Sequence, residues 1–284
     1  MAGQRFSLGA LLLAASASLA GCVSRDAGYQ DVRQVVANRT GHDVRWQHLD
    51  GEGASRRAAR ALLAEPLTAE AAVKLALLNS AELQAAFEEL GVARAELVGA
   101  LHLPNPVAEG SLRFRKQGST TIDLALTEDL SQLILLPLRS GVARAELDAA
   151  KLSVAAKALD LVLEVRAAFY AYLAARQVLE FRETVLQALE ASAAVAAGLH
   201  AAGNTTDLEL ESERVLFDEA RVNQSAARAT LEGSKQHLSA LLGLADTEQA
   251  WRVDARLADP PTDLSLADLE RTAVERSLDL AILK

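Results

Sequence analysis

The chain has 284 residues, of which 50% are apolar, 24% are charged and only 4% are aromatic. The high apolar content excludes intrinsic disorder as the main state, and a single cysteine excludes a scaffold held by disulfides. A formal net charge of −9 argues against nucleic acid as a partner, because its phosphates would be repelled. The many Ala, Leu, Val, Glu and Arg residues favour long packed helices.

The first 21 residues have the layout of a secretory signal peptide, with Arg5 before an apolar run over residues 6–17. This run is too short to cross a bilayer as a helix. The tetrapeptide Leu19-Ala20-Gly21-Cys22 resembles a bacterial lipobox, which predicts cleavage after residue 21 and acylation of Cys22. Val23, rather than Asp, follows and favours the outer membrane. The alternative is a buried N-terminal helix in which Cys22 merely packs.

Residues 22–66 are mixed and polar, and we expect them to form an extended arm carrying the lipid anchor. His42 and His48 lie close enough in the arm to hold a metal ion, but two isolated histidines are usually polar surface. A helical pattern then covers residues 68–103. Its apolar positions step by three and four residues, which predicts a seam for a second helix: Leu83, Ala86, Leu90, Ala93, Leu97 and Ala100.

Between residues 107 and 130 the period changes from helical to two, which predicts two strands joined by a turn at 116–120. Apolar side chains fall on one face: Leu112, Phe114, Ile122, Leu124 and Leu126. Polar side chains fall on the other face: Glu109, Ser111, Arg113, Asp123 and Thr127. This alternation is typical of a transmembrane β-hairpin. A soluble hairpin resting on a helix fits the strand pattern equally well.

Two further helical patterns cover residues 139–198 and 207–242, and such lengths predict a rod with both shorter helices packed end to end beside the longest. Gly203-Asn204-Thr205 marks the turn between them, and Thr206 to Glu209 fits a capping box. Residues seven apart form a seam on the last helix: Leu208, Val215, Val222 and Ala229.

Residues 244–263, which contain Pro260-Pro261, are predicted to be a linker. Residues 264–284 then resemble the start of the first long helix, with Ser277 matching Ser80 and Leu280 matching Leu83. Two unrelated amphipathic helices are the alternative. We interpret residues 67–243 as one structural repeat and residues 264–284 as the beginning of a second repeat that is cut short.

Taken in chain order, these features resemble the TolC-type outer-membrane efflux factors. The matching phrases are LTAEAAVKLALLNSAEL (67–83), LPNP (103–106), EDLSQLILLPLRSGVARAEL (128–147), AAGNTTDLELESE (201–213) and LSALLGL (238–244). The arm sequence GYQDVRQVVANRTGHDVRW (28–46) is similar to arms in the heavy-metal branch of that family. Because a second hairpin and helix pair is absent, we interpret the chain as a fragment of a longer protein or a decayed copy.

The resemblance implies a mainly α fold with a small β part. Long antiparallel coiled-coil helices would form a periplasmic tunnel, and the transmembrane β-hairpin would be contributed to a trimeric barrel with its apolar face toward lipid. The turn between the last two helices would be the tip on which a periplasmic adaptor protein docks. The tip residues are Gly203, Asn204, Thr205, Thr206, Asp207 and Leu208.

The implied function is a passive exit duct in the outer membrane of a Gram-negative bacterium, lipid-anchored and extending into the periplasm. Its partners would be two further copies of itself, the adaptor and an inner-membrane efflux pump, with the resistance-nodulation-division type as one candidate. The cargo would be small molecules or metal cations. We expect no enzymatic activity, cofactor or resident metal, because no HExxH, phosphate-binding glycine loop, CxxC or nucleophile elbow occurs. The alternative function is a helical outer-membrane lipoprotein scaffold without a pore.

Overall fold

A computed structural model of the chain describes residues 26–47, 52–102, 105, 107–113, 121–127, 131–244, 251–258 and 268–283, with backbone only for residues 52–56 and 121. The predicted signal peptide, Cys22, Phe114 and the strand turn at 116–120 lie outside the described residues.

The described part of the chain is mostly helical. The helices are α1 (Tyr29–Thr40), α2 (Glu52–Leu63), α3 (Ala69–Asn79), α4 (Ala81–Leu101), α5 (Ser131–Ala201), α6 (Asp207–Leu241), α7 (Leu269–Arg276) and α8 (Leu278–Ile282), and the strands are β1 (Val107–Arg113) and β2 (Thr121–Thr127). With 71 residues, α5 is about 107 Å long at the usual helical rise. This helix runs the whole length of a rod, as the predicted helix lengths indicate.

The first half of α5 packs antiparallel to α3 and α4. Lys157 Nζ lies 2.9 Å from Glu89 Oε2, and Arg166 Nη2 lies 2.9 Å from Glu70 Oε1. Nearer the strands, α4 and α5 share a small apolar cluster of buried side chains: Leu97, Ala143 and Leu147. The predicted seam of α4 therefore faces α5, because all its members are buried or half-buried.

The second half of α5 packs antiparallel to α6. Ser192 Oγ donates to Glu213 Oε2 at 2.7 Å, and Arg228 Nη2 lies 3.4 Å from Glu183 Oε1. Where α6 ends, Gly243 (φ +65°) lies against α3: a Cβ built on it would be 2.7 Å from the carbonyl oxygen of Asn79. Helix α6 therefore ends where α3 and α4 join, so the shorter helices meet end to end beside α5.

The predicted single helix over residues 68–103 is interrupted at Ser80. This residue has extended backbone (φ −60°, ψ 116°), ends α3 and caps α4 with its hydroxyl, which accepts from the Leu83 amide at 3.2 Å. The heptad pattern continues across the break, so periodicity alone does not reveal it. The local signal is the N-cap preference of serine.

The helix predicted to start at residue 139 starts at Ser131, eight residues earlier. Pro137 lies inside the helix rather than before it, and the Ser140 hydroxyl donates to its carbonyl oxygen at 2.9 Å. Proline removes a single backbone hydrogen bond. In a helix of 71 residues the loss of this one bond does not outweigh the hydrogen bonds of the helical turns on either side.

The expectation of an extended arm over residues 22–66 is wrong for α1 and α2. Tyr29, Val32 and Val36 are buried and recur at helical spacing, which is the signal that a mainly polar composition obscures. The Tyr29 and Phe87 rings meet edge to face with centroids 5.4 Å apart, and the Trp46 and Phe87 centroids are 6.0 Å apart. The arm is therefore part of the core.

The predicted linker is described over residues 251–258, which have neither helix nor strand but pack closely on the rod. The Trp251 ring lies 5.0 Å from that of Tyr172, and its Nε1 donates to the Ser239 hydroxyl at 3.1 Å. Arg176 of α5 donates to the carbonyl oxygens of Val253 and Ala255. These contacts hold the segment against both α5 and α6.

The short helices α7 and α8 reproduce the geometry of α3 and α4 at their junction. Ser277 has φ −65° and ψ 123°, and its hydroxyl accepts from the Leu280 amide at 3.2 Å. These values match those of Ser80 and Leu83. The sequence similarity that suggested an internal repeat therefore recurs in local structure.

Candidate functional site: the hairpin tip and the strand pair

The turn between α5 and α6 is closed by two backbone hydrogen bonds. The Gly203 amide donates to the His200 carbonyl at 2.8 Å, and the Asn204 amide donates to the Leu199 carbonyl at 2.9 Å. This is a Schellman ending, in which one residue adopts the left-handed conformation. Gly203 takes that position with φ +74°, so its predicted role in the bend is confirmed.

The other side of the tip is the predicted capping box. The Thr206 hydroxyl accepts from the Glu209 amide at 3.2 Å, and Glu209 Oε2 accepts from the Thr206 amide at 2.9 Å. The Thr205 hydroxyl donates to the same carboxylate oxygen at 2.5 Å. These bonds, first that from Thr205 and then those from Thr206, lower the pKa of Glu209. Their contribution to tip stability is present at neutral pH and is lost as the pH falls through that lowered pKa.

Replacing Thr206 with alanine is expected to loosen the first turn of α6. The substitution removes the acceptor for the Glu209 amide, and loss of an N-cap of this kind costs about 0.5–2 kcal/mol. Amide hydrogen exchange of the first turn should therefore accelerate, whereas Thr206→Ser, which keeps the hydroxyl, should exchange like the parent protein. Equal protection in the alanine and serine variants would show that the cap contributes nothing.

His200 joins the two sides of the tip. Its Nδ1 lies 3.3 Å from the Thr205 carbonyl oxygen, and its Nε2 lies 3.3 Å from Asp207 Oδ1. The role of His200 cannot be predicted from its neighbours in the chain, since it depends on a contact across the turn.

A groove of about 440 Å³ opens between the helices beside the tip. Its walls combine apolar side chains with acidic ones: Val195, Ala196, Leu199, Leu208, Glu209 and Glu213. Leu208 is 77% exposed at the mouth of the groove. Of the predicted tip residues, Thr205 and Leu208 line this groove, and α5 adds an apolar wall that the turn sequence does not reveal.

The predicted seam of α6 is exposed, and a different face of the helix packs on α5. Leu208, Val215, Val222 and Ala229 are all exposed, while a different set of α6 side chains is buried: Leu210, Ala220, Ala227, Leu238 and Ser239. Both sets recur near helical spacing, so the sequence could not tell which one meets α5. Helix α6 has one apolar face in the rod and a second that no described residue covers.

The strand pair has the predicted two-faced character. Leu112 pairs with Ile122, Gly110 with Leu124 and Ala108 with Leu126. Directly paired residues of antiparallel strands share a face, so the four described apolar residues of the predicted lipid-facing set lie together. Leu124 is 83% exposed.

The opposite face of the strand pair carries the polar side chains. Ser111 pairs with Asp123, whose carboxylate accepts from the Ser111 hydroxyl at 3.4 Å and lies 3.4 Å from Arg113 Nη2. Glu109 pairs with Ala125 on the same face. Asp123 thus interacts with both Ser111 and Arg113 on this face, while the side chains of the apolar face are exposed.

The possible metal ligands of the arm do not form a site within the described residues. His42 is buried, and its Nε2 lies 2.7 Å from Glu70 Oε2, whereas His48 is outside the described residues. No three His, Cys, Asp or Glu side chains among the described residues are arranged to hold a metal ion. No described helix has the length and apolar character needed to cross a membrane.

No protein-family model and no curated protein matches the chain. Two solved structures share its architecture. A membrane protein of Pseudomonas aeruginosa superimposes with a TM-score of 0.62 at 20% identity, covering 79% of this chain and 53% of that protein. CusC, whose structures concern folding and transmembrane channel formation, superimposes with a TM-score of 0.55 at 20% identity, covering 69% of this chain and 49% of CusC.

The chain spans about half the length of the solved structures that it matches. The shared part includes a rod of long helices, since these make up most of the described residues. The chain has the fold of these two structures, and it is mainly helical with a small β part, as its sequence predicts.

Proposed function

We propose that the chain is part of an outer-membrane channel, a passive exit duct for small molecules or metal cations that works with a periplasmic adaptor and an inner-membrane pump. The observation that carries the proposal is the strand pair. Its apolar side chains are 59–83% exposed at one end of a rod about 107 Å long, and a soluble domain would bury such a face. The fold shared with CusC, a channel-forming protein, supports the same role.

The hairpin is proposed to lie in the membrane with its apolar face toward lipid and its polar face toward water. Leu112, Ile122, Leu124 and Leu126 would contact acyl chains, together with Phe114. Backbone groups at the strand edges cannot stay unpaired in lipid. The strands are therefore proposed to pair with hairpins of neighbouring protomers in a homotrimer.

Leu124→Arg is expected to prevent stable membrane integration. A charge on the lipid face near the bilayer midplane costs about 2–4 kcal/mol per site. The matched control is Ala125→Arg on the polar face, where the new side chain would be directly opposite Glu109. The measurement is the amount of each variant that stays in the outer-membrane fraction after a urea wash. Equal retention of both variants would favour the scaffold lipoprotein without a pore.

The exposed seam of α6 is proposed to pack against helices outside the described rod. Val215, Val222 and Ala229 repeat every seven residues, which is the spacing of a coiled-coil contact. A tunnel wall needs helices with neighbours on two sides, and α6 has an apolar face for each. Signal-peptide cleavage after residue 21 and acylation of Cys22 complete the proposal.

The tip is proposed to be the docking site of the adaptor, since an exposed leucine beside an acid-rimmed groove suits an apolar helical partner. Gly203→Pro should impair export because proline cannot adopt the left-handed backbone, and Leu208→Trp should impair it by filling the groove mouth. Trimers should remain intact in both. Export is measured as growth of the native host in inhibitory concentrations of drugs and divalent cations.

The control for Leu208→Trp is Thr230→Trp, an exposed position about 33 Å farther along α6. It should leave export unchanged. Normal export by both tip variants would rule out docking at this turn while leaving the membrane role of the hairpin standing.

A further inference from the structure

The first two turns of α5 carry apolar side chains around the whole helix. Four side chains that are 46–80% exposed form what we call the apolar collar: Leu133, Ile134, Leu135 and Leu138. Successive helical residues are turned by about 100°, so these four span about 200° of the helix circumference, and the half-buried Leu136 lies in the remaining sector. No charged residue occurs between Ser131 and Leu138. A helix that is apolar all round belongs in a protein interior or in lipid.

The collar adjoins the apolar face of the strand pair. β2 ends at Thr127, and three residues separate it from Ser131, where α5 begins. Thr127 pairs with Val107, the first residue of β1, so this is the end of the hairpin next to the helices. Leu126, near that end, is exposed. The two exposed apolar surfaces therefore follow each other directly along the chain.

The contacts of the arm independently limit where the membrane surface can lie along α5. Gly28 lies against Lys151 of α5, because a Cβ built on Gly28 would overlap the Lys151 side chain, and Asp31 Oδ2 lies 2.9 Å from Lys151 Nζ. These contacts fix the start of the arm on the rod. Cys22 precedes Gly28 by six residues, and six residues reach at most about 21 Å.

This reach can be converted into a position on α5. A distance of about 21 Å is the rise of about 14 helical residues, which leads from Lys151 to about Pro137. An acyl chain attached to Cys22 must enter lipid within that distance. The lipid boundary therefore crosses α5 at about Pro137 or on the Lys151 side of it, and most of the apolar collar lies on the membrane side.

We propose that the apolar collar is embedded among the acyl chains of the periplasm-facing lipid leaflet, with Arg139 at the level of the headgroups. The inference rests on the proposed function, because it takes the hairpin as membrane-embedded and Cys22 as acylated. Arg139 Nη1 donates to Gln132 Oε1 at 2.8 Å, so its side chain runs back along the collar. A long arginine side chain can cover apolar surface while its charge stays in a polar layer.

The test uses the full chain, produced with its leader and reconstituted in phosphatidylethanolamine–phosphatidylglycerol vesicles that contain lipids with nitroxide-labelled acyl chains. Single cysteines labelled with a bimane fluorophore are placed at three exposed positions by Ile134→Cys, Leu124→Cys and Val142→Cys. Val142 is the matched control, because it lies on the same helix eight residues beyond Ile134. The parent protein, whose only cysteine is Cys22, gives the background labelling.

The expected result is strong quenching at positions 134 and 124 and background quenching at position 142. Quenching at 124 but not at 134 would overturn the collar and leave the proposed function intact, and a disulfide between two copies at 134 would identify a second protomer as the occupant. Absence of quenching at 124 would overturn the membrane role of the hairpin itself. Equal quenching at 134 and 142 would overturn the position of the lipid boundary.

Discussion

Phe87→Ala is expected to destabilise the folded chain by about 3–5 kcal/mol, the usual cost of removing a buried aromatic side chain. Phe87 is fully buried between the rings of Tyr29 and Trp46. The cavity would open at the only place where the arm and α4 share aromatic contacts among the described residues. The arm should therefore detach before the rod unfolds.

The measurement is chemical denaturation together with limited proteolysis of residues 26–47. The control is Phe181→Ala, which removes the same side chain from a position on α5 that is 61% exposed and should leave both readouts nearly unchanged. A Phe87→Ala protein as stable as the Phe181→Ala protein would show that the aromatic cluster does not hold the arm.

Gly243→Ala is expected to be the most damaging glycine substitution in the rod. The left-handed backbone at φ +65° costs a non-glycine residue about 1–3 kcal/mol. The new Cβ would also lie 2.7 Å from the Asn79 carbonyl oxygen and 2.9 Å from its Cβ, so α6 and α3 must separate. Overpacking of this kind adds about 1–3 kcal/mol.

Gly233→Ala is the matched control for that substitution. Gly233 lies inside α6 with no atom within 4 Å of a built Cβ, so alanine should stabilise the helix by about 0.5–1 kcal/mol. Thermal unfolding of the two variants should shift in opposite directions. A Gly243→Ala protein that unfolds at the parent temperature would mean that the ends of α3 and α6 are not in firm contact.

Local patterns predicted the features that depend on neighbouring residues in the chain. The strand faces followed from alternation alone, and the tip cap followed from Thr206 and Glu209 three residues apart. Both depend on hydrogen bonds or side-chain directions within a few residues. The α4 seam was equally readable, because Leu83, Leu90 and Leu97 repeat every seven residues.

The sequence did not predict features that depend on contacts between distant segments. Trp46 is buried because it packs against Phe87 and Glu88 of α4, and its Nε1 donates to Glu88 Oε1 at 2.8 Å. The sequence did not show which face of α6 meets α5, since two sets of apolar residues recur near helical spacing. The helix was predicted to start at residue 139, after Pro137, although a proline can lie within a long helix.

The junction of α3, α4 and α6 has a mechanical consequence. On one side the rod has a continuous helix, α5, and on the other its helices are interrupted at Ser80 and Gly243. A rod with a continuous helix on one side and interrupted helices on the other bends most easily where the helices are interrupted. Bending of the rod would therefore be concentrated near this junction, and the tip and the strand pair would tilt relative to each other without deforming internally.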